Sequence, residues 1–251
     1  MIVIIGDSWG CGEWSDMSIS HKGLEQYLRD YNLPVINLSI GGGTNYGSSR
    51  QLAQFLGSGI LDYIPKITHV LAFQTEWCRD YYIYSDFHGK LIKNPTWSFP
   101  PSIKNVQDII DIRSTTVSNW QYFLQDLAQK YTFKVGLIGG ASDTIWLDRF
   151  SIEYPGVEIV CQSLTNLCVN NNHRVDRPVL NLNQAPIDQM KKTLQDSTNL
   201  ELLIDDMDEA IHRSNQWKNN KEYFWPDGVH ANRLGHKKLF ELIMDSNFLT
   251  M

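Results

Sequence analysis

Cysteine is scarce in this 251-residue chain, and no two cysteines form a C-x-x-C pair. We therefore expect Cys11, Cys78, Cys161 and Cys168 to be reduced thiols, as in a cytosol-like compartment, and we expect no zinc site. Long apolar runs are also lacking, and no segment approaches the ~20 residues of a membrane span. The first residues lack the basic start and cleavage site of a secretion signal, which predicts a cytoplasmic protein.

Basic runs and nucleotide-binding motifs are missing as well. The net charge of -6 argues against a protein that binds the phosphate backbone of nucleic acids. There is no G-x-x-x-x-G-K-S/T loop, and the third glycine of a dinucleotide motif beginning at Gly10 would fall at Ser15. The acidic residues within 205–209 are best explained as a solvated helix face. We expect no nucleic-acid partner, no cofactor and no metal.

Short apolar runs alternate with longer amphipathic stretches along the chain. This alternation predicts parallel strands joined by crossover helices, and the length and 42% hydrophobic content favour a single domain over residues 1–251. The predicted fold is a flavodoxin-like three-layer α/β/α sandwich around a parallel five-stranded sheet. The predicted strands are 2–5, 34–38, 69–73, 133–138 and 157–160, and the predicted helices are 23–31, 48–56, 106–131, 200–217 and 232–244.

A segment rich in tyrosine and proline, 78–102, does not fit this alternation. We interpret it as an insertion or lid near the functional site, with a surface loop that packs its own aromatic side chains as the alternative.

Two short polar blocks lie near the ends of the chain. Ser8 follows the first apolar run, and Asp227 and His230 precede the last predicted helix. In open α/β sheets, ligands bind beyond the carboxyl ends of the strands, which is where Ser8 falls. A serine nucleophile needs a base to take its proton and a carboxylate to orient that base, and these three residue types supply those roles.

The blocks Gly-Asp-Ser at 6–8 and Asp-Gly-Val-His at 227–230 resemble those of the SGNH (GDSL-like) hydrolase family. The resemblance spans nearly the whole chain and implies Ser8 as nucleophile, His230 as general base and Asp227 as its orienting carboxylate. It also implies an oxyanion hole formed by the Ser8 N–H and a glycine N–H, for which the spacing points to Gly42, uncertain by one residue. Asp7 is interpreted as a turn or helix-capping residue.

The third family block departs from the pattern, because the usual G-x-N-D is replaced. Gln74, Thr75, Glu76 and Arg79 stand in this region, and none is an asparagine. Either Gln74 or Thr75 supplies the third oxyanion donor, or the hole has two backbone donors, since an ionised Glu76 cannot donate. Glu76 and Arg79 are candidate substrate-binding residues, as is Trp9, for which core packing is the favoured alternative.

The resemblance implies a serine esterase that works through an acyl-enzyme, on a small-molecule or glycan ester such as O-acetyl groups of a carbohydrate. Similar replacements of the third block in phage-encoded relatives suggest a phage origin and an association with virions. The alternative function is a non-catalytic SGNH-like module that binds carbohydrate or builds a virion. The two functions are discriminated by whether the Ser8 Oγ lies within hydrogen-bond reach of His230.

Overall fold

The computed structural model describes residues 1–15, 18–75, 106–140, 144, 155–174, 222–224 and 230–250. In this part of the chain the strands are β1 (Ile2–Ile5), β2 (Glu13–Ser15), β3 (Ser18–His21), β4 (Val35–Asn37), β5 (His69–Gln74), β6 (Lys134–Gly139) and β7 (Val157–Cys161). Five of them form a parallel sheet in the order β4-β1-β5-β6-β7. This is the order of a flavodoxin-like doubly wound sheet, so the predicted fold class is confirmed.

Helices connect these strands. They are α1 (Ser8–Cys11), α2 (Leu24–Asp30), α3 (Asn45–Gly57), α4 (Val106–Tyr131), α5 (Leu164–Asn170) and α6 (Arg233–Asp245), with short 3-10 turns at Ile60–Asp62 and Asn247–Leu249. The predicted bounds of α4 match the structure, and those of the five sheet strands differ from it by at most one residue at either end. Helix α3 begins three residues before the prediction, because the Thr44 side chain caps it by accepting the Gly47 N–H. The predicted helix 200–217 and the segment 78–102 lie outside the described residues.

The β2–β3 hairpin, the short helices α1 and α5 and the two 3-10 turns were not predicted. Strands β2 and β3 form an antiparallel hairpin directly after α1. They escaped prediction because each is only three or four residues long and β3 is largely exposed, so no apolar run marks it. Helix α5 is also short, and it is initiated by the Ser163 side chain, which accepts the Asn166 N–H.

Alternate residues of the buried strands face opposite sides of the sheet, which produces two cores. Ile2 and Ile4 of β1 pack with helices α2, α5 and α6 on one side. Val3 and Ile5 pack with α3 and α4 on the other. The sheet is thus the middle layer of three, and its strand ends present their loops to a common edge.

None of the helices within the described ranges combines the length and the apolar character that crossing a bilayer requires. Cys11, Cys161 and Cys168 are buried free thiols, and Cys78 lies outside the described residues.

Candidate active site

Ser8 is placed by a tight turn at the carboxyl end of β1. Gly6 has a φ of +149°, and a Cβ at this position would lie 2.6 Å from the Cβ of Phe73. Only glycine fits there without displacing β5. Asp7 then caps α1 as predicted, because its Oδ1 accepts the Trp9 N–H at 3.0 Å. Ser8 is therefore the first residue of a helix and keeps 8% of its surface exposed.

His230 reaches Ser8 from the opposite end of the sequence. Its Nε2 lies 2.7 Å from the Ser8 Oγ, across 222 positions of the chain. Two residues later, Asn232 caps α6 by accepting the N–H groups of Leu234 and Gly235, which fixes the backbone that carries His230. The distance is the one that the catalytic interpretation requires. Asp227 lies outside the described residues, and its role stays a prediction.

The ring of Trp9 packs beside this pair. Its centroid is 6.0 Å from that of His230, and Trp9 itself is 1% exposed within the core formed with α2, α5 and α6. In this structure Trp9 supports the imidazole from within the core, which is the favoured alternative of the sequence analysis. A side chain this deeply buried presents almost no surface to a substrate.

The two predicted backbone donors lie on adjoining loops. Among the described residues, neither the Ser8 N–H nor the Gly42 N–H has a hydrogen-bond acceptor. The loop that carries Gly42 is held against the Ser8 turn, since the Ile40 N–H donates to the Gly6 oxygen at 3.1 Å. Gly42 has a φ of +71° and no atom near the position of a Cβ. Both N–H groups are thus available at the edge where Ser8 lies.

A buried polar network joins the loops that follow β1, β4 and β5. The Thr75 hydroxyl donates to Asp7 Oδ2 at 2.7 Å, and the Thr75 N–H donates to Asn45 Oδ1 at 2.9 Å. Asn45 returns a hydrogen bond from Nδ2 to the Thr75 oxygen at 3.0 Å. A hydroxyl has one hydrogen to donate, and that of Thr75 goes to Asp7. In this arrangement Thr75 links the Ser8 turn to β5 and does not aim its hydrogen at an oxyanion.

A second connection ties the β2–β3 hairpin to the helix that follows His230. Glu13 is 6% exposed, and its Oε2 accepts both the backbone N–H and the Nε of Arg233, at 2.7 and 2.8 Å. Burial raises the pKa of Glu13, but the hydrogen bonds and charge of Arg233 outweigh this effect and hold it below its ordinary value. The Ser8 side and the His230 side of the site are therefore bridged by an ion pair.

The remaining predicted residues divide between buried and undescribed positions. Gln74 ends β5 and is 1% exposed, whereas Glu76 and Arg79 lie outside the described residues. Glu13 and Asn45 were not predicted as site residues, because no motif marks them. Trp14 was not predicted either, and its indole Nε1 donates to the Ser8 oxygen at 3.2 Å.

The fold and this site together define a doubly wound α/β domain with a serine and histidine in contact at the carboxyl edge of its sheet. No protein-family model matches the chain, and no curated protein matches it.

Several solved structures are similar to the chain over nearly its whole length. The psychrotrophic esterase EstA from Pseudoalteromonas is 14% identical, with 98% of this chain and 94% of that chain covered and a TM-score of 0.41. The lipase Lip_vut3 from a goat rumen metagenome is 13% identical, with 98% and 97% covered and a TM-score of 0.49. A lipase/acylhydrolase from Enterococcus faecalis is 17% identical, with 98% and 94% covered and a TM-score of 0.40. Similarity at this level does not transfer a residue role to this chain.

Proposed function

We propose that this protein is a serine esterase of the SGNH type, in which Ser8 forms an acyl-enzyme. The observation that carries the proposal is the 2.7 Å contact between Ser8 Oγ and His230 Nε2. An unprotonated Nε2 at this distance can accept the hydroxyl proton as Oγ attacks an ester carbonyl carbon. The available N–H groups of Ser8 and Gly42 are the proposed donors to the resulting oxyanion.

The rest of the cycle uses the same groups. When the tetrahedral intermediate collapses, the bond to the alcohol oxygen breaks and His230 returns the proton to the leaving alcohol. A water molecule then gives a proton to His230 and attacks the acyl carbon, and collapse of the second intermediate releases the acid and restores the Ser8 hydroxyl. Asp227 is proposed to hold the second ring nitrogen of His230, as its position in the D-x-x-H block suggests.

Reaction with a fluorophosphonate probe tests the proposal, read by intact mass and peptide mapping. We expect one adduct on Ser8 that is absent from Ser8→Ala and suppressed in His230→Ala. Hydrolysis of p-nitrophenyl acetate should fall in both variants by on the order of 10⁴- to 10⁶-fold. Ser58→Ala is the matched control, because Ser58 is an exposed serine at the end of α3 whose loss should leave both readouts unchanged. A folded protein without the adduct and without esterase activity would contradict the proposal and favour a binding module.

The substrate expected from the sequence, an O-acetyl group on a carbohydrate, is a separate proposal, which a preference for apolar esters would contradict. Acetylated xylan measured beside p-nitrophenyl acetate tests it, because a preference for the polysaccharide would show recognition of the sugar.

A further inference from the structure

Trp14 lies between the two loops that form the proposed site. Its indole N–H donates to the Ser8 oxygen at 3.2 Å, which anchors the ring beside the nucleophile's own backbone. A Cβ on Gly41 would lie 3.0 Å from both Cζ2 and Cη2 of that ring, so its six-membered edge rests on the loop that carries Gly42. The ring thus packs, like a wall, between the Ser8 turn and the loop that carries the predicted oxyanion donor Gly42.

Two further apolar side chains lie on segments near Trp14 and Ser8. Ile19 is the cross-strand partner of Trp14 in the hairpin, so both side chains lie on the same face, and Ile19 is 45% exposed. Ile40, whose N–H bonds to Gly6, is 51% exposed. Single exposed apolar residues are ordinary on a protein surface, but Ile19 and Ile40, like the partly buried Trp14, lie on segments next to Ser8. We call Trp14, Ile19 and Ile40 the apolar rim.

The chemistry of the reaction determines what the rim contacts. The carbonyl carbon of an ester must come within about 3.5 Å of the Ser8 Oγ, so the groups attached to it extend over the residues that surround Ser8. The neighbouring charged group of the hairpin, Glu13, is 6% exposed and paired with Arg233. Within the part of the chain that the structure describes, the rim therefore offers apolar surface to the substrate, and the charge of Glu13 beside it is buried and paired.

We propose that Trp14 is a specificity-determining residue that binds an apolar group of the ester, with Ile19 and Ile40 completing the contact. This inference rests on the proposed function of Ser8 and His230. The apolar group belongs either to the acyl part or to the alcohol part, and the two share the same chemistry.

Two substrate series separate the acyl from the alcohol part. The first is p-nitrophenyl acetate, hexanoate and decanoate, and the second is the methyl, hexyl and benzyl esters of acetic acid. In the wild-type protein we expect kcat/KM to rise with apolar size in one series. Trp14→Ala should reduce the ratio of kcat/KM for the large ester to that for the small one by about tenfold or more, the scale of methylene discrimination in apolar pockets. Trp14→Phe keeps a ring and should retain most of the ratio.

Tyr63→Ala is the matched control, since Tyr63 is an aromatic side chain 88% exposed beyond the 3-10 turn that follows α3. The ratio of kcat/KM for the large ester to that for the small one should be the same in Tyr63→Ala as in the wild type. Labelling of Ser8 by ethyl and octyl fluorophosphonates gives a second readout, in which Trp14→Ala should slow the octyl probe more than the ethyl probe.

The outcomes separate this inference from the function on which it rests. Ratios unchanged by Trp14→Ala in both series would overturn the role of Trp14 while leaving the esterase intact. A wild-type preference for acetylated xylan over every apolar ester would also overturn it. A folded protein whose Ser8 reacts with neither probe would overturn the proposed function itself.

Discussion

Asp7 is a carboxylate without exposed surface, one residue before the proposed nucleophile. Its two oxygens accept the Trp9 N–H and the Thr75 hydroxyl, so the side chain both initiates α1 and ties the Ser8 turn to β5. A buried charge is tolerated only when hydrogen bonds replace its water, and these bonds supply that replacement. The position of Ser8 therefore depends on Thr75, which lies 68 positions after Asp7 in the sequence.

Replacement of Thr75 tests this dependence. Thr75→Val keeps the shape of the side chain but leaves Asp7 Oδ2 without that donor, and we expect a loss of about 2 kcal/mol in the free energy of unfolding. Urea denaturation at pH 7 measures it. Thr75→Ser restores the hydroxyl and is the control that should stay closer to the wild type. Equal stability of Thr75→Val and the wild-type protein would show that the Asp7 bond is energetically unimportant.

Cys11 lies on the same short helix as Ser8 and is a second potential nucleophile. Its buried environment makes the thiol unreactive. Burial raises the pKa of its thiol to about 11, and the charge of Asp7 adds to this effect. At pH 8 about one molecule in a thousand would carry the thiolate, which is the reactive form. Cys168 is similar, because burial raises its pKa to about 12.

We therefore expect iodoacetamide at pH 8 to leave Cys11 and Cys168 unmodified in the native protein and to modify both in denaturant. Peptide mapping by mass spectrometry gives the result site by site. Rapid and complete modification of native Cys11 would contradict the burial seen at the end of α1.

The β2–β3 hairpin and helix α6 are joined by the ion pair of Glu13 and Arg233. The pKa of Glu13 is depressed in the folded protein, so its charged form is bound more tightly than in the unfolded chain. Such a group stabilises the protein above its unfolded-state pKa, and the contribution is lost as the pH falls through the folded-state pKa.

Glu13→Gln is accordingly expected to destabilise the protein at pH 7, with the difference from wild type shrinking below about pH 4. Urea midpoints measured from pH 7 to pH 3 give the comparison. Glu241→Gln is the matched control, because Glu241 and Lys237 form an exposed pair at 3.8 Å on the same helix, and such pairs contribute little. A Glu13→Gln difference that does not change with pH would indicate lost packing and not lost charge.

The elements differ in how far the sequence predicts them. The five strands of the sheet were predictable because each is a short, mainly apolar run, and α4 because its apolar spacing persists over 26 residues. The hairpin was not, since its residues are few and partly exposed, and its position is fixed by Glu13 and Arg233, 220 residues apart. Ser8 and His230 were found from short motifs, whereas Trp14 and Asn45 act through contacts that only the folded chain creates.

The interior of the fold includes one fully buried histidine, which lies on α6. His236 is fully buried, and a Cβ on Gly23 would lie 2.8 Å from its ring. Burial is the main cause that lowers the pKa of His236 to about 4, with the charge of His21 acting in the same direction and that of Glu13 opposing it. Its complete burial indicates a structural role for this histidine.

The fold should therefore lose stability in mild acid through His236. In the unfolded chain the imidazole binds a proton below about pH 6.5, whereas the folded protein keeps it neutral until about pH 4. The unfolded state thus binds more protons over this interval, so stability falls as the pH falls, by a total on the order of 3 kcal/mol. Other groups also titrate, and a variant that lacks the imidazole isolates this contribution.

His236→Leu fills a similar volume with a side chain that does not titrate. We expect the free energy of unfolding of the wild type, measured with urea from pH 7.5 to pH 4, to fall more steeply than that of the variant. At pH 7 the imidazole of the wild type is neutral in the folded protein and in most unfolded molecules. Any difference in the free energy of unfolding between the variant and the wild type at this pH therefore reports packing alone. Curves that stay parallel over the whole range would mean that His236 is protonated as easily in the fold as in the unfolded chain, which its burial between α6 and the sheet argues against.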